Sequence, residues 1–476
     1  MEPSCPRATP LTSQVASFDA EFVSRTLAEL GLVKHYHGAR KRDIKMHQSK
    51  SERQLNSLAD RTFLKLWSIP NTFYASGKEL TDLIVPFGDD VIIISDKACS
   101  FDFEIDRELA WSRWFRHAIE GTVRQLKTAL QRIKRQPASI FTDKRATEAL
   151  RIGMGNPLQK RFHLISVVRP DVDPAKVVPE WPGLTYTSSP DPQVFHIGKM
   201  KVSGTFVHVF DGPSFDALLT ELDTVSDLLA YLKGREASFE SARQFEFKEL
   251  DLLGASQIGW VDDPAPTGLP SVPPLEAVVP GLWEMYVAGE TKRRRDRSNR
   301  GSRVIDAYIA SEIEEYRNDR VVSDIPSFDS HEQTLRLLAG ESRLARRIIA
   351  LQLNGILEEK DLSTFWSATC ASPTMPSLRY FWLAYPKRPA EITQKQFDSS
   401  MIIYLQQHIF VLQAMFPETL VLGICVPNPD AEDTAIFTVL HDSSGWTEHD
   451  LEEARYLQER LGILQNLEPH TSAHIK

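Results

Sequence analysis

Asp82, Asp96 and Lys97 lie close together in an otherwise apolar stretch, ELTDLIVPFGDDVIIISDK, that runs from Glu79 to Lys97. Aspartate is disfavoured inside strands, so Asp82 within an apolar run asks for a chemical reason. Carboxylates that hold a hard divalent cation, beside an ammonium group that stabilises developing charge or orients water, are the parts needed for phosphodiester hydrolysis. A β-hairpin supplies them compactly, with an acid on one strand facing an acid and a lysine on the next. Glu79 to Phe87 and Val91 to Lys97 are β-forming runs separated by the turn cluster Gly88-Asp89-Asp90, which reads as such a hairpin. Register decides which groups meet. With a two-residue turn, Gly88-Asp89, Asp82 lies opposite Ser95 and shares a face with Lys97. With a three-residue loop, Gly88 to Asp90, Asp82 lies opposite Asp96.

Both runs are almost continuously apolar, which places the hairpin in a sheet covered on both faces. A helix before it carries Leu55, Leu58, Phe63, Leu64, Leu66 and Trp67 as its apolar stripe and stops at Pro70-Asn71. A long amphipathic helix after it, Leu109 to Ile133, has Phe115, Ile119, Val123, Leu126, Leu130 and Ile133 on its inner side. Trp111, Trp114 and Phe115 pack onto the sheet at this spacing, with base stacking as the other use of such rings. Ala138 to Phe141, Phe162 to Val168 and Val194 to Asp211 read as further strands, and Ser214 to Glu236 as a helix.

On these residues the stretch from about 50 to 135 resembles the PD-(D/E)xK nuclease superfamily, and with it bacterial nuclease-like proteins of unclear role. That resemblance implies a restriction-endonuclease-like α/β core, a mixed sheet flanked by helices. It implies that Asp82 and Asp96, with Glu52 from the preceding helix, hold Mg2+ (or Mn2+), that Lys97 orients the attacking water, and that Gln125 in Gln125-Leu126-Lys127-Thr128-Ala129 supports the site. One position departs from the pattern: the residue two before Lys97 is Ser95, where the family has an acid. The implied activity is metal-dependent nuclease action on DNA or RNA, in bacterial defence or DNA maintenance. The alternative is a catalytically decayed nuclease fold that acts as a binding or assembly subunit with a protein partner.

The 476-residue length implies several domains. The expected division is a disordered tail at 1–15, the nuclease-like core at 16–160, an accessory α/β extension at 161–260, a proline-rich linker at 261–281 and an α+β C-terminal domain at 282–476. In that last domain helices are expected at 302–318, 331–358, 394–415 and 447–462, and strands at 378–385, 419–426 and 435–441. Thr447 and Asp450 form a capping-box pattern at the final helix. No apolar run is long enough for a membrane helix, and no signal-peptide pattern opens the chain. Cys5, Cys99, Cys370 and Cys425 form no CxxC pair, so neither a zinc ribbon nor a disulfide scaffold is expected, and a reducing cytoplasm is. Net charge is −9, so contact with nucleic acid must come from local basic patches. The two visible as runs are Arg40-Lys41-Arg42, with Lys45 and Lys50, and Lys292-Arg293-Arg294-Arg295, with Arg297, Arg300 and Arg303. His35, His37 and His47 lack a carboxylate at a metal-binding interval. Gly153-Met154-Gly155 lacks the ending of a phosphate loop.

Overall fold

The computed structural model describes residues 50–150, 155–171, 181–189, 193–262, 269–317, 328–358, 363–416, 418–429 and 435–465. The features expected before residue 50, among them Arg40, Lys41, Arg42 and the histidine cluster, lie outside these, as does Gly153-Met154.

Helices α1 (Lys50–Thr62) and α2 (Leu64–Trp67) lead into an antiparallel meander of β1 (Ile69–Ala75), β2 (Lys78–Phe87) and β3 (Asp90–Ser100). The long helix α3 (Arg107–Arg135) then returns the chain to β4 (Arg161–Asp171), which pairs in parallel with β3 over the whole of its length. After the short strands β5 (Thr185–Thr187), β6 (His196–Ile197) and β7 (Met200–Val202), β8 (Thr205–Asp211) joins β4 in parallel. The result is a mixed six-stranded sheet in the order β1-β2-β3-β4-β8-β7. It draws on both the 16–160 and the 161–260 stretches, so a division at residue 160 cuts through it.

The sheet is flanked by helices. Side-chain alternation along β3 and β4 sends Ser95 and Ser166 to the face covered by α3. It sends Asp90, Asp96, His163 and Arg169 to the face covered by α4 (Gly212–Glu221) and α5 (Val225–Ser241). Where one helix was expected from Ser214 to Glu236, the chain breaks between α4 and α5, and Thr224 caps α5 by accepting from the Asp227 N–H. Strand β9 (Glu246–Lys248) pairs with β5 in a small three-stranded sheet, and α6 (Glu249–Asp262) follows. The described part of the expected linker packs back onto α5: Leu275 is buried, and Val272 lies against Gly234.

The C-terminal part comprises α7 (Leu282–Ala288), α8 (Glu290–Arg317), α9 (Phe328–Ala339), α10 (Arg343–Leu357), β10 (Trp366–Ala371), β11 (Leu378–Tyr385), α11 (Gln394–Met415), β12 (Leu420–Pro427), β13 (Phe437–Asp442) and α12 (Glu448–Leu461). Its sheet runs β10-β11-β12-β13, with only β11 and β12 parallel. The expected helix 331–358 is two, because Ser342 caps α10 by accepting from the Ala345 N–H. The Asp450 carboxylate accepts from the Thr447 N–H, closing the start of α12. One continuous core joins the first sheet, α8 to α10 and one face of β11 and β12; the other face packs on α11. Among the described residues, no helix is long and apolar enough to cross a membrane.

Candidate functional site

The hairpin takes the two-residue turn. Phe87 pairs with Asp90 and Leu83 with Ile94, leaving Gly88-Asp89 as the loop, with Gly88 at φ +57°. This register puts Asp82 across from Ser95. Oδ2 of Asp82 accepts from the Asp96 N–H at 2.9 Å, and the buried Ser95 hydroxyl donates to Gln125 Oε1 at 2.8 Å. Ser166 on β4 pairs with Ser95, and its hydroxyl meets that of Thr122 on α3. A file of polar groups therefore crosses three strands beneath α3 inside an apolar sheet. On the outer side of Asp82, Asn71 lies between the Pro70–Leu83 and Thr72–Thr81 pairs at φ +50°, a left-handed conformation that asparagine tolerates better than most residues. Pro70 and Asn71, which as a pair stop a helix, both belong to an edge strand, where proline is tolerated.

Lys97 is on the same face. Its Nζ donates to the carbonyl of His117 at 2.9 Å, one turn along α3 from Gly121 and two from Gln125. Gly121 makes room for it, since a Cβ there would stand 3.0 Å from Nζ. Burial pushes the Asp82 carboxyl up from 3.8 to about 7; the Asp96 N–H and Ser95 hydroxyl act in the opposite sense, and the charges of Glu79 and Asp96 add to the rise. Ser95 has one proton to give, so it serves Gln125 when Asp82 is protonated and can turn to the carboxylate when Asp82 ionises. Cys99, further along this face, has its thiol raised by burial, partly offset by Lys97.

The Asp96 side chain is on the opposite face. Both its oxygens accept from Arg169 Nε, at 3.1 and 3.0 Å, while the two terminal nitrogens of Arg169 hold Asp216 at 3.0 and 2.9 Å. Gln54 of α1 also donates to Asp216 at 2.7 Å. A Cβ at Gly212 would stand 2.6 Å from Arg169, so this arrangement requires a glycine at the start of α4. Burial works against the Arg169 charge, yet the two aspartates hold its pKa above the ordinary value. Glu52 lies in α1, and its side chain is outside the described residues.

Thus Asp82, Ser95 and Gln125 are brought together, Lys97 on the same face is anchored at His117, two helical turns from Gln125, and Asp96 is turned away. Mg2+ and Mn2+ need several oxygen ligands, usually including one or two carboxylates. The described donors grouped here are one carboxyl, a hydroxyl and an amide. No cluster of three His, Cys, Asp or Glu able to hold a metal occurs among the described residues. This donor set does not fit a hard divalent cation.

Two further charged groups were placed differently or missed. Asp90, read as a turn residue, is the buried centre of a cationic cluster. Arg161 holds it at 3.0 and 2.9 Å, His163 at 2.8 Å and Lys233 at 3.2 Å. Burial alone would raise Asp90, but His163, Arg161 and Lys233 hold it well below the ordinary carboxylate range. The run 292–303 is largely engaged within the protein. Arg295 and Lys292 meet Glu221 at 3.2 and 3.0 Å, and Arg303 pairs with Asp223 and Asp306. Arg293 and Arg294 are exposed and pair with Glu290 on their own helix. No protein-family model, curated protein or solved structure matches this chain.

Proposed function

We propose that the chain is a nucleic-acid-binding protein built on a nuclease-like α/β core, whose hairpin site has lost the ligand set for metal-dependent cleavage. The observation that carries this reading is the fate of the second acid. Ser95 occupies the ligand position and is tied to Gln125, while the Asp96 carboxylate is neutralised by Arg169 on the other face. The remaining polar file, Asp82-Ser95-Gln125, ties the meander to α3.

A second reading, a metal-dependent phosphodiesterase, is favoured by one observation: Asp82 and Lys97 face the same helix, and Asp82 is buried at a cost that an acid without a function would not require. On that reading Asp82 would hold the cation, Lys97 would orient the attacking water and Gln125 would position the serine. Mn2+ titration followed by electron paramagnetic resonance separates the two. The first reading expects no Mn2+ bound at the protein's concentration at pH 8, where Asp82 is ionised. Stoichiometric binding that disappears in Asp82→Asn would overturn it in favour of the second.

A further inference from the structure

Helix α3 carries eight arginines and lysines against two glutamates, a net of +6 in a chain whose net is −9, so the rest of the chain carries −15. The segregation extends to one side of the helix. Trp114, Ala118, Thr122, Leu126, Ala129 and Ile133 are buried against the sheet, whereas Arg113, Arg116, Arg124, Lys127 and Arg135 are exposed. At roughly 100° per residue these five positions fall within an arc of about 100°, and they extend along roughly 33 Å of helix axis. Arg124 pairs with Glu120 at 3.6 Å, while Arg113, Arg116, Lys127 and Arg135 form no ion pair with a described residue. In the 292–303 run, by contrast, Lys292, Arg293, Arg294, Arg295 and Arg303 each have an acidic partner close by.

We propose that the outward stripe of α3, formed by Arg113, Arg116, Arg124, Lys127 and Arg135, is a docking track for the phosphate backbone of a nucleic acid. The proposal rests on the nucleic-acid reading above and gives it a surface. A straight row of exposed cations, four of the five without an ion pair to a described residue, matches a linear polyanion, which for duplex DNA presents a charge about every 1.7 Å of axis. It does not match a lipid surface as well, because the apolar half of α3 is buried on the sheet and has nothing to insert. The stripe also borders the candidate site, since the flank of α3 that carries Gly121 and Gln125 is the one that meets Lys97 and Ser95. A strand lying on the track would pass along the edge of the hairpin site.

The test is binding of the full chain to labelled duplex DNA, single-stranded DNA and RNA, measured without divalent metal across about 50–200 mM salt. The triple variant R113Q/R116Q/K127Q should lower the log–log salt slope by about three and weaken binding on the order of 10²-fold near 100 mM salt. The charge-keeping R113K/R116K variant should stay within a few-fold of the parent, and R293Q/R294Q should leave the slope unchanged. Circular dichroism melts of the variants should superimpose on the parent, since glutamine is a good helix former at exposed positions. An unchanged slope in the triple variant overturns the proposal. So does a parent protein that binds none of the three nucleic acids, or one that binds phosphatidylserine vesicles in their place. Because metal is absent, loss of this surface is read separately from the presence or absence of cleavage.

Discussion

Replacing Asp82 by asparagine keeps the shape of the side chain and removes only the ability to ionise. The Asp96 N–H can still donate to the new Oδ1, and the new amide can donate to Ser95, which passes its proton to Gln125 as before. In the parent, the Asp82 carboxyl is raised by burial from 3.8 to about 7. The folded state holds the proton over a window in which the unfolded chain has released it, so the associated stability is complete below the ordinary value near 3.8 and is lost as pH rises towards about 7. At 1.36 kcal/mol per pH unit the gap sets a ceiling of about 4 kcal/mol. Asp82 retains some contact with water, so about 2–3 kcal/mol is the expected size after screening. Urea unfolding followed by tryptophan fluorescence should therefore give Asp82→Asn and parent curves that nearly coincide at low pH. At pH 8.5 the variant should be the more stable by about 2–3 kcal/mol. A variant less stable than the parent at both pH values, or a difference that does not change with pH, would refute the claim that burial of a lone carboxyl dominates this site.

Three other substitutions probe the surroundings. Gly121→Ala should raise the stability of α3 by up to about 1 kcal/mol through helix propensity while displacing the Lys97 ammonium from His117; a fall in melting temperature would show that the contact outweighs propensity. Arg169→Met should destabilise by about 3–5 kcal/mol because it removes the cation that Asp96 and Asp216 share, and adding Asp96→Asn should recover part of the loss in a double-mutant cycle. Asp90→Asn should flatten the loss of stability on strong acidification, since Asp90 is held well below its ordinary value and its contribution is lost only as pH falls from that ordinary value towards the much lower folded one; an equally steep acid limb in the variant would contradict this.

The hairpin and its turn were legible because alternation, β-branching and a glycine at the turn all act locally. Which register the turn adopts, and therefore whether Ser95 or Asp96 faces Asp82, was left open, and pairing of Phe87 with Asp90 resolves it. The fate of Asp96 was not legible, because it depends on Arg169 in a neighbouring strand and on a glycine at the start of α4. The basic patches show the same difficulty in another form. Consecutive cations on a helix point to all sides, so in 292–295 some face inward and meet Glu221 while others reach only Glu290. Cations three or eight apart share one side of a helix, as at 113, 116, 124, 127 and 135, and make a continuous surface that no run of basic letters announces. The edge strand β1 was hidden by Pro70-Asn71, a pair that stops a helix and is also compatible with a strand at the margin of a sheet.

On the proposed reading, nucleic acid docks along the outward stripe of α3, beside a hairpin site that lacks the ligands to cut it. The direct measurement is incubation of the purified chain and of Lys97→Ala with plasmid, single-stranded DNA and RNA, in Mg2+, in Mn2+ and in chelator, with bound and cleaved products resolved on the same gel. Retained complexes and intact strands are expected in every metal condition, for parent and variant alike. Mn2+- or Mg2+-dependent cleavage by the parent that vanishes in Lys97→Ala would contradict that reading.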